Sequence, residues 1–223
     1  MQLLLDSADA SAQALIAALD ATVPRSTAAL RAERKRASRA WKDCDASFVL
    51  EAARMVNDRK AYRWIAYELV RHHPSTFARV TDRTMASLGK GIDSWGSVDA
   101  FARILAGPAW VGGRVSDALI DHWARSKDKW WRRAALVSTV AWNTSADGGG
   151  GDSKRTLALC SQLAGDHDDM VQKALSWALR ALVPWDKPAV REFVRLHRTE
   201  VSARVTREVS NKLRTNLKNP RKA

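Results

Sequence analysis

Only two cysteines, Cys44 and Cys160, occur in 223 residues, and neither stands in a CxxC pattern or near a histidine at ligand spacing. That leaves no disulfide framework and no zinc site, and both thiols are expected to be free and buried. No apolar run approaches the roughly 20 residues of a bilayer span, and the N-terminus lacks the ordered basic, apolar and cleavage regions of a signal peptide. A soluble, intracellular protein is expected. The five histidines form no HExxH-type pair, and the cluster Asp166, Asp168, Asp169 lacks the glycine and distal glutamate of a calcium loop, so it reads as a helix start. The glycine run between Asp147 and Asp152 has neither a phosphate-loop lysine nor a preceding strand, and reads as a flexible linker between helices. Strand-type alternation is not sustained anywhere.

Acidic residues are also in short supply, 24 against 37 Lys and Arg, which gives a formal charge of +13 and a pI near 10.3. Such a balance favours a polyanionic partner over an acidic or neutral one. Hydrophobic residues make up 46%, enough for one sizeable core, and the expectation is a single α-helical domain over 1–223 with a basic tail at about 212–223.

What the chain does contain is helical periodicity. Leu15, Ile16 and Leu19, then Trp64, Ile65 and Leu69, Leu175, Leu179 and Leu182, and Phe193, Val194 and Leu196 all fall at helix spacing. Prolines and glycines fall mainly between such segments, which predicts about ten to twelve helices of ordinary length. Superimposing Asp58, Asp93, Asp128 and Asp168, separated by 35, 35 and 40 residues, gives a weak internal repeat at the period of helix-pair solenoids. Each aspartate is expected to cap a helix or sit in its first turn. Five positions later come Arg63, Val98, Arg133 and Lys173, so three of the four copies carry a cation there. The next column holds Trp64, Asp99, Ala134 and Ala174, and the charge of Asp99 is one that the repeat itself does not require.

Trp95 and Asp99, four apart, share one face of a predicted helix, so an aromatic wall flanks the carboxylate. The alternative is that Trp95 packs in the core while Asp99 caps a helix beginning near Ser97. In Lys129-Trp130-Trp131-Arg132-Arg133 the adjacent tryptophans cannot face the same way, and Arg133 can present a planar fork to a phosphate or form a surface salt bridge. Lys173 and Trp177 again pair a cation with an aromatic face at four-residue spacing. Further cations crowd Arg31, Arg34, Lys35, Arg36 and Arg39, and the tail residues Lys212, Arg214, Lys218, Arg221 and Lys222.

Taken in order, Trp95-Gly-Ser-Val-Asp99, Trp130-Trp-Arg-Arg133-Ala-Ala-Leu and Val171-Gln-Lys-Ala-Leu-Ser-Trp177-Ala-Leu-Arg180 resemble the AlkD-like DNA alkylation repair glycosylases. The resemblance runs over roughly 58–210 and departs from the family pattern at Gly96 and Ser97, where a second tryptophan and an aspartate are usual. It implies an all-α fold of HEAT-like repeats, a C-shaped solenoid of antiparallel helix pairs with a basic concave face. It further implies Asp99 as the catalytic carboxylate, Trp95 and Trp177 against the sugar of the lesion, and Arg133 on a backbone phosphate. Arg63, Arg132 and Lys173 are further DNA-binding candidates. The implied reaction is hydrolysis of the N-glycosidic bond of cationic N3- and N7-alkylpurines in duplex DNA, without base flipping, metal or organic cofactor. A monomer is expected, cytoplasmic and nucleoid-associated when on DNA. Two rival readings stay open: a noncatalytic helical-repeat module for damaged or branched DNA, and a protein-interaction scaffold.

Overall fold

A computed structural model describes residues 7–220, and Arg221 and Lys222 of the basic tail lie outside the described residues. The protein is all-α, with 72% helix and no strand among the described residues. The helices are α1 (Ala8–Ala21), α2 (Thr27–Ala40), α3 (Ala46–Asp58), α4 (Arg63–Arg71), α5 (Pro74–Ala78), α6 (Asp82–Gly89), α7 (Trp95–Ala100), α8 (Gly107–Val111), α9 (Asp117–Ala124), α10 (Lys129–Trp142), α11 (Ser153–Gln162), α12 (Asp169–Leu182), α13 (Lys187–Leu196) and α14 (Ala203–Thr215). A π-helical segment, Phe101–Ala106, joins α7 to α8 without a break. Among the described residues no helix is long and apolar enough to cross a membrane.

The chain divides into two compact units, Met1–Lys90 and Gly91–Ala223. In the first, α3 and α4 pack on each other, with α1 and α5 against α3 and with α2 against α1 and α4. Their apolar stripes, Val49, Ala52, Ala53 and Val56 on one side and Ile65, Ala66, Leu69 and Val70 on the other, are buried. In the second unit α10 is the central element. It packs against the α7–α8 rod, α9, α11 and α12, and α12 packs in turn on α14. Every residue of α10 from Arg133 to Ala141 is buried, so this helix is apolar nearly all round where its sequence reads Ala-Ala-Leu-Val-Ser-Thr-Val-Ala. Ser138 and Thr139 tolerate that burial because their hydroxyls donate to the carbonyls of Ala134 at 2.8 Å and Leu136 at 2.7 Å.

Helix starts follow local chemistry. Asp128 and Asp168 cap α10 and α12, their carboxylates accepting from the amides of Trp130 and Met170 at 2.9 and 2.8 Å, as the repeat predicts. The other two aspartates of the repeat differ. Asp58 closes α3, and Asp93 lies one residue before the true cap of α7, Ser94. The repeat therefore aligns sequence segments without aligning the cap itself in all four copies.

The tetraglycine stretch is not a loose linker. The amide of Gly149 donates to Thr144 at 3.1 Å and that of Gly151 to Trp142 at 2.9 Å, while the Trp185 indole donates to the Asn143 carbonyl at 3.0 Å. A β-carbon at Gly149 would fall 2.2 Å from the Ala141 carbonyl oxygen, and one at Gly151 2.7 Å from Trp185 Cβ. Glycine is required here by close approach, and at Gly151 also by φ of +85°. Composition alone suggests mobility; the tertiary neighbours of these glycines remove it.

Candidate active site

The α7 start is fixed by a serine pair. Ser94 Oγ accepts from the Ser97 amide at 3.3 Å, and Ser97 Oγ accepts from the Ser94 amide at 3.2 Å, a reciprocal capping box. Ser97, one of the two departures from the usual motif, thus has a structural task. Because the helix begins at Trp95, that side chain stands in its first turn and is 63% exposed, whereas Asp99 lies one turn further in. Neither the core position for Trp95 nor the capping position for Asp99 is adopted.

Asp99 meets Arg133 of α10 in a two-point ion pair. Arg133 Nε donates to Oδ1 at 2.9 Å and Nη2 to Oδ2 at 2.8 Å, the fork geometry that a guanidinium offers a carboxylate. The third nitrogen, Nη1, donates to the Met170 carbonyl at 2.5 Å, in the first turn of α12. Arg133 therefore ties three helices of the second unit together at one point. Its side chain is 6% exposed and that of Asp99 19%, so the carboxylate keeps an accessible edge while its orienting partner does not. Each carboxylate oxygen receives one hydrogen bond from the arginine and retains lone-pair capacity for another donor or for a developing positive charge.

Around this pair the motif residues separate by role. Trp131, half-buried, packs 5.0 Å from Trp123 and 6.0 Å from Phe101 between ring centroids, so it braces the segment that follows Asp99. Trp130 is half-buried, with the Lys129 ammonium 5.1 Å from its ring. Arg132 donates to Asp166 at 2.6 Å and to the Ser126 and Lys127 carbonyls at 3.0 and 2.9 Å, joining the approaches to α10 and α12. Lys173 reaches Asp169 at 2.7 Å, and that ammonium holds the Asp169 carboxyl below its ordinary pKa. For Asp168, burial pushes the carboxyl up, but the Met170 amide and the Lys129 ammonium outweigh it and the net direction is down. Trp177, one turn beyond Lys173 on α12, is half-buried. Arg63 lies in the first unit, buried, with Nε donating to the Asn57 carbonyl at 3.3 Å.

Two contributors are invisible to motif reading. The Met170 carbonyl is one, because a backbone acceptor has no residue signature. The other is the buried Glu208 of α14, 3% exposed, which accepts from Ser176 at 2.7 Å and faces Lys218 at 3.4 Å and Arg180 at 3.8 Å. It gathers these cations between α12 and α14, at the residue preceding Trp177. A lone glutamate inside a basic helix was the available signal.

A helical unit that presents a carboxylate in an arginine fork, beside exposed indole and clustered cations, is chemically suited to a polyanion with a cationic centre. The family model described as DNA alkylation repair enzyme matches residues 10–213, and the chain belongs to that family. No curated protein and no solved structure matches the chain. A role in the repair of alkylated DNA, with DNA as the partner, follows from the family.

Proposed function

We propose that the protein is a monofunctional DNA glycosylase that hydrolyses the N-glycosidic bond of cationic N3- and N7-alkylpurines in duplex DNA, leaving an abasic site. The observation that carries this reading is the Asp99 carboxylate, aimed by Arg133 and open on one edge, one helix turn from the exposed indole of Trp95. Alkylation of a ring nitrogen puts positive charge on the base and activates its departure, so no strong general acid is needed. As the bond lengthens, positive charge moves to the sugar, and a fixed carboxylate favours that state over the ground state. Asp99 also orients the attacking water. The faces of Trp95 and Trp177 favour the same cation, by about 0.5 to 2 kcal/mol each.

In this reading the repeats form a solenoid whose basic face follows the duplex, and the protein acts as a monomer on a base that stays stacked. Lys173 and Arg132 serve the phosphates, whereas Arg133, buried on Asp99 and Met170, acts by aiming the carboxylate, and the buried Arg63 is left to its own unit. If Z cations engage phosphates, log affinity falls with log salt at a slope of about −0.9 Z.

The test is incubation of the pure protein with methylated duplex DNA and measurement of released 3-methyladenine and 7-methylguanine. Wild-type protein is expected to release both, and Asp99→Asn to lose about 100- to 1,000-fold in rate, the scale of removing one aligned electrostatic contact. Tight, salt-sensitive DNA binding without any base release would reject the enzyme in favour of a noncatalytic binding module. Equal release by the variant would reject the role of Asp99.

A further inference from the structure

The rod that carries Trp95 and Asp99 has an unusual phase. Trp95, Asp99, Arg103, Gly107 and Val111 recur every four residues, and the last four all meet α10 or the loop that follows it. Asp99 pairs with Arg133, and Arg103 with Asp147 at 2.9 Å. A β-carbon at Gly107 would lie 2.8 Å from Ala141 Cβ and from the Ser138 carbonyl oxygen, and one at Gly148 would lie 3.7 Å from Val111 Cγ1. The buried set beside them, Val98, Phe101, Ala102, Leu105, Ala106, Ala109 and Trp110, repeats at the same interval. Asp99 on Arg133 and Gly107 on Ala141 are both separations of 34 residues, so the rod and α10 run parallel and in register.

On a regular α-helix a four-residue stripe follows an inclined ridge that drifts around the axis. At 3.6 residues per turn each step overshoots by about 40°, so Asp99 and Gly107 would diverge by about 80°. The π segment removes this slip. The Gly107 amide donates to the Ala102 carbonyl, five residues back, and Pro108, with no N–H, cannot serve the Ile104 carbonyl as a regular turn requires.

We propose that the wide turn Phe101–Ala106, held by Pro108, is a phasing element that keeps Asp99 aimed at Arg133 while Gly107 stays locked on α10. Pro108 is then a positioning residue for the reaction proposed above, on which the catalytic half of this inference rests. The turn matters by angle, without touching substrate.

Two length variants test it. Deleting Ile104 leaves seven residues from Asp99 to Gly107, which a regular helix brings back to within about 20° of full turns. Inserting one alanine between Ala100 and Phe101 rotates Asp99 by about 100° against the anchor. The first readout is the NMR resonance of the Arg133 Nε–H, protected while it is bonded to Asp99. The second is base release, separated into kcat and DNA affinity. The deletion is expected to keep the resonance and to release base within about fivefold of wild type. The insertion is expected to melt cooperatively, keep DNA affinity, lose the resonance and lose about 100-fold in kcat, the scale of a misplacement near 1 Å. Pro108→Ala, which returns the N–H of a regular turn, is expected to weaken the resonance and lower kcat; it decides the matter if the deletion chain does not fold. A folded insertion variant with an intact resonance, or Pro108→Ala unchanged in both readouts, would overturn the inference. If the resonance behaves as stated but wild-type protein releases no base, the phasing role stands and the glycosylase reading falls.

Discussion

Each unit of the molecule contains a carboxylate gripped by arginine beside a tryptophan, and the two differ in what is left over. In the first unit Glu68 is held by Arg31 at 2.7 Å and by Arg34 at 3.0 Å, and the Arg31 guanidinium lies 5.2 Å from the centre of the Trp64 ring. Two cations saturate that acid, and its side chain is 7% exposed. In the second unit Asp99 has one arginine and an open edge, and the tryptophan one turn away faces outward with no cation on it among the described contacts. The same three kinds of group, carboxylate, guanidinium and indole, thus give a fully matched internal cluster in one place and an unfinished one in the other. The reaction proposed above requires the unfinished one, because a carboxylate already satisfied on every lone pair has little to offer a developing charge.

Removing each acid breaks this comparison most sharply. Glu68→Ala leaves the buried Arg34 uncompensated and is expected to cost about 3 to 5 kcal/mol of stability, read by denaturant unfolding, with base release per folded molecule unchanged. Arg133→Ala is expected to do the converse in larger part, lowering base release about 100-fold through lost aim of Asp99, with folding still cooperative in a thermal melt. If Arg133→Ala merely unfolds the protein and its folded fraction is fully active, the two clusters are both structural.

A smaller effect separates the tryptophans. Trp95→Ala removes an exposed ring and is expected to change stability by no more than about 0.5 kcal/mol, while base release falls several-fold. Trp131→Ala, in contrast, empties an aromatic cluster and is expected to cost about 3 to 5 kcal/mol. Matching melting temperatures for the two variants would contradict the division into outward and inward rings.

The smallest expected effect lies in acid. The Arg155 guanidinium hydrogen-bonded to Asp117 at 2.9 Å, aided by the Trp110 indole, holds that carboxyl below its usual value. A depressed folded pKa contributes stability that is present above the unfolded value of about 3.9 and is lost as pH falls through the folded one. Asp117→Asn is therefore expected to make stability less steep in pH below about 4, measured by unfolding at a series of acidic pH values, and to leave neutral base release unchanged.

Much of the all-α character was legible because apolar residues at helix spacing bury one face wherever they occur, and the caps at Asp128 and Asp168 were legible from local chemistry alone. Asp93 was misplaced as a cap because a sequence superposition cannot sense a one-residue shift of a helix start, and the adjacent Ser94 competes well for the same amides, whereas Asp58 falls at the C-terminal end of α3. The candidate site was half legible. Trp95 and Asp99 stand out by type and spacing, but the partner of Arg133 depends on which helices adjoin, and that is decided by packing. The π segment did leave a trace, since apolar pairs at 101/102, 105/106 and 109/110 keep a period of four where a regular helix would need 3.6. The glycine run was misread for the opposite reason: lack of side chains signals freedom in an isolated chain, and permits close contact in a folded one.

That run has a practical corollary for anyone who wishes to cut, label or extend the molecule. In the stretch that looks most expendable on paper, Gly149 is wedged against the end of α10 and Gly151 against the Trp185 ring, so a fluorophore or tag grafted at either position would push those neighbours apart. Gly165, where a β-carbon would meet nothing within 4 Å and the backbone is not left-handed, is where a graft has room.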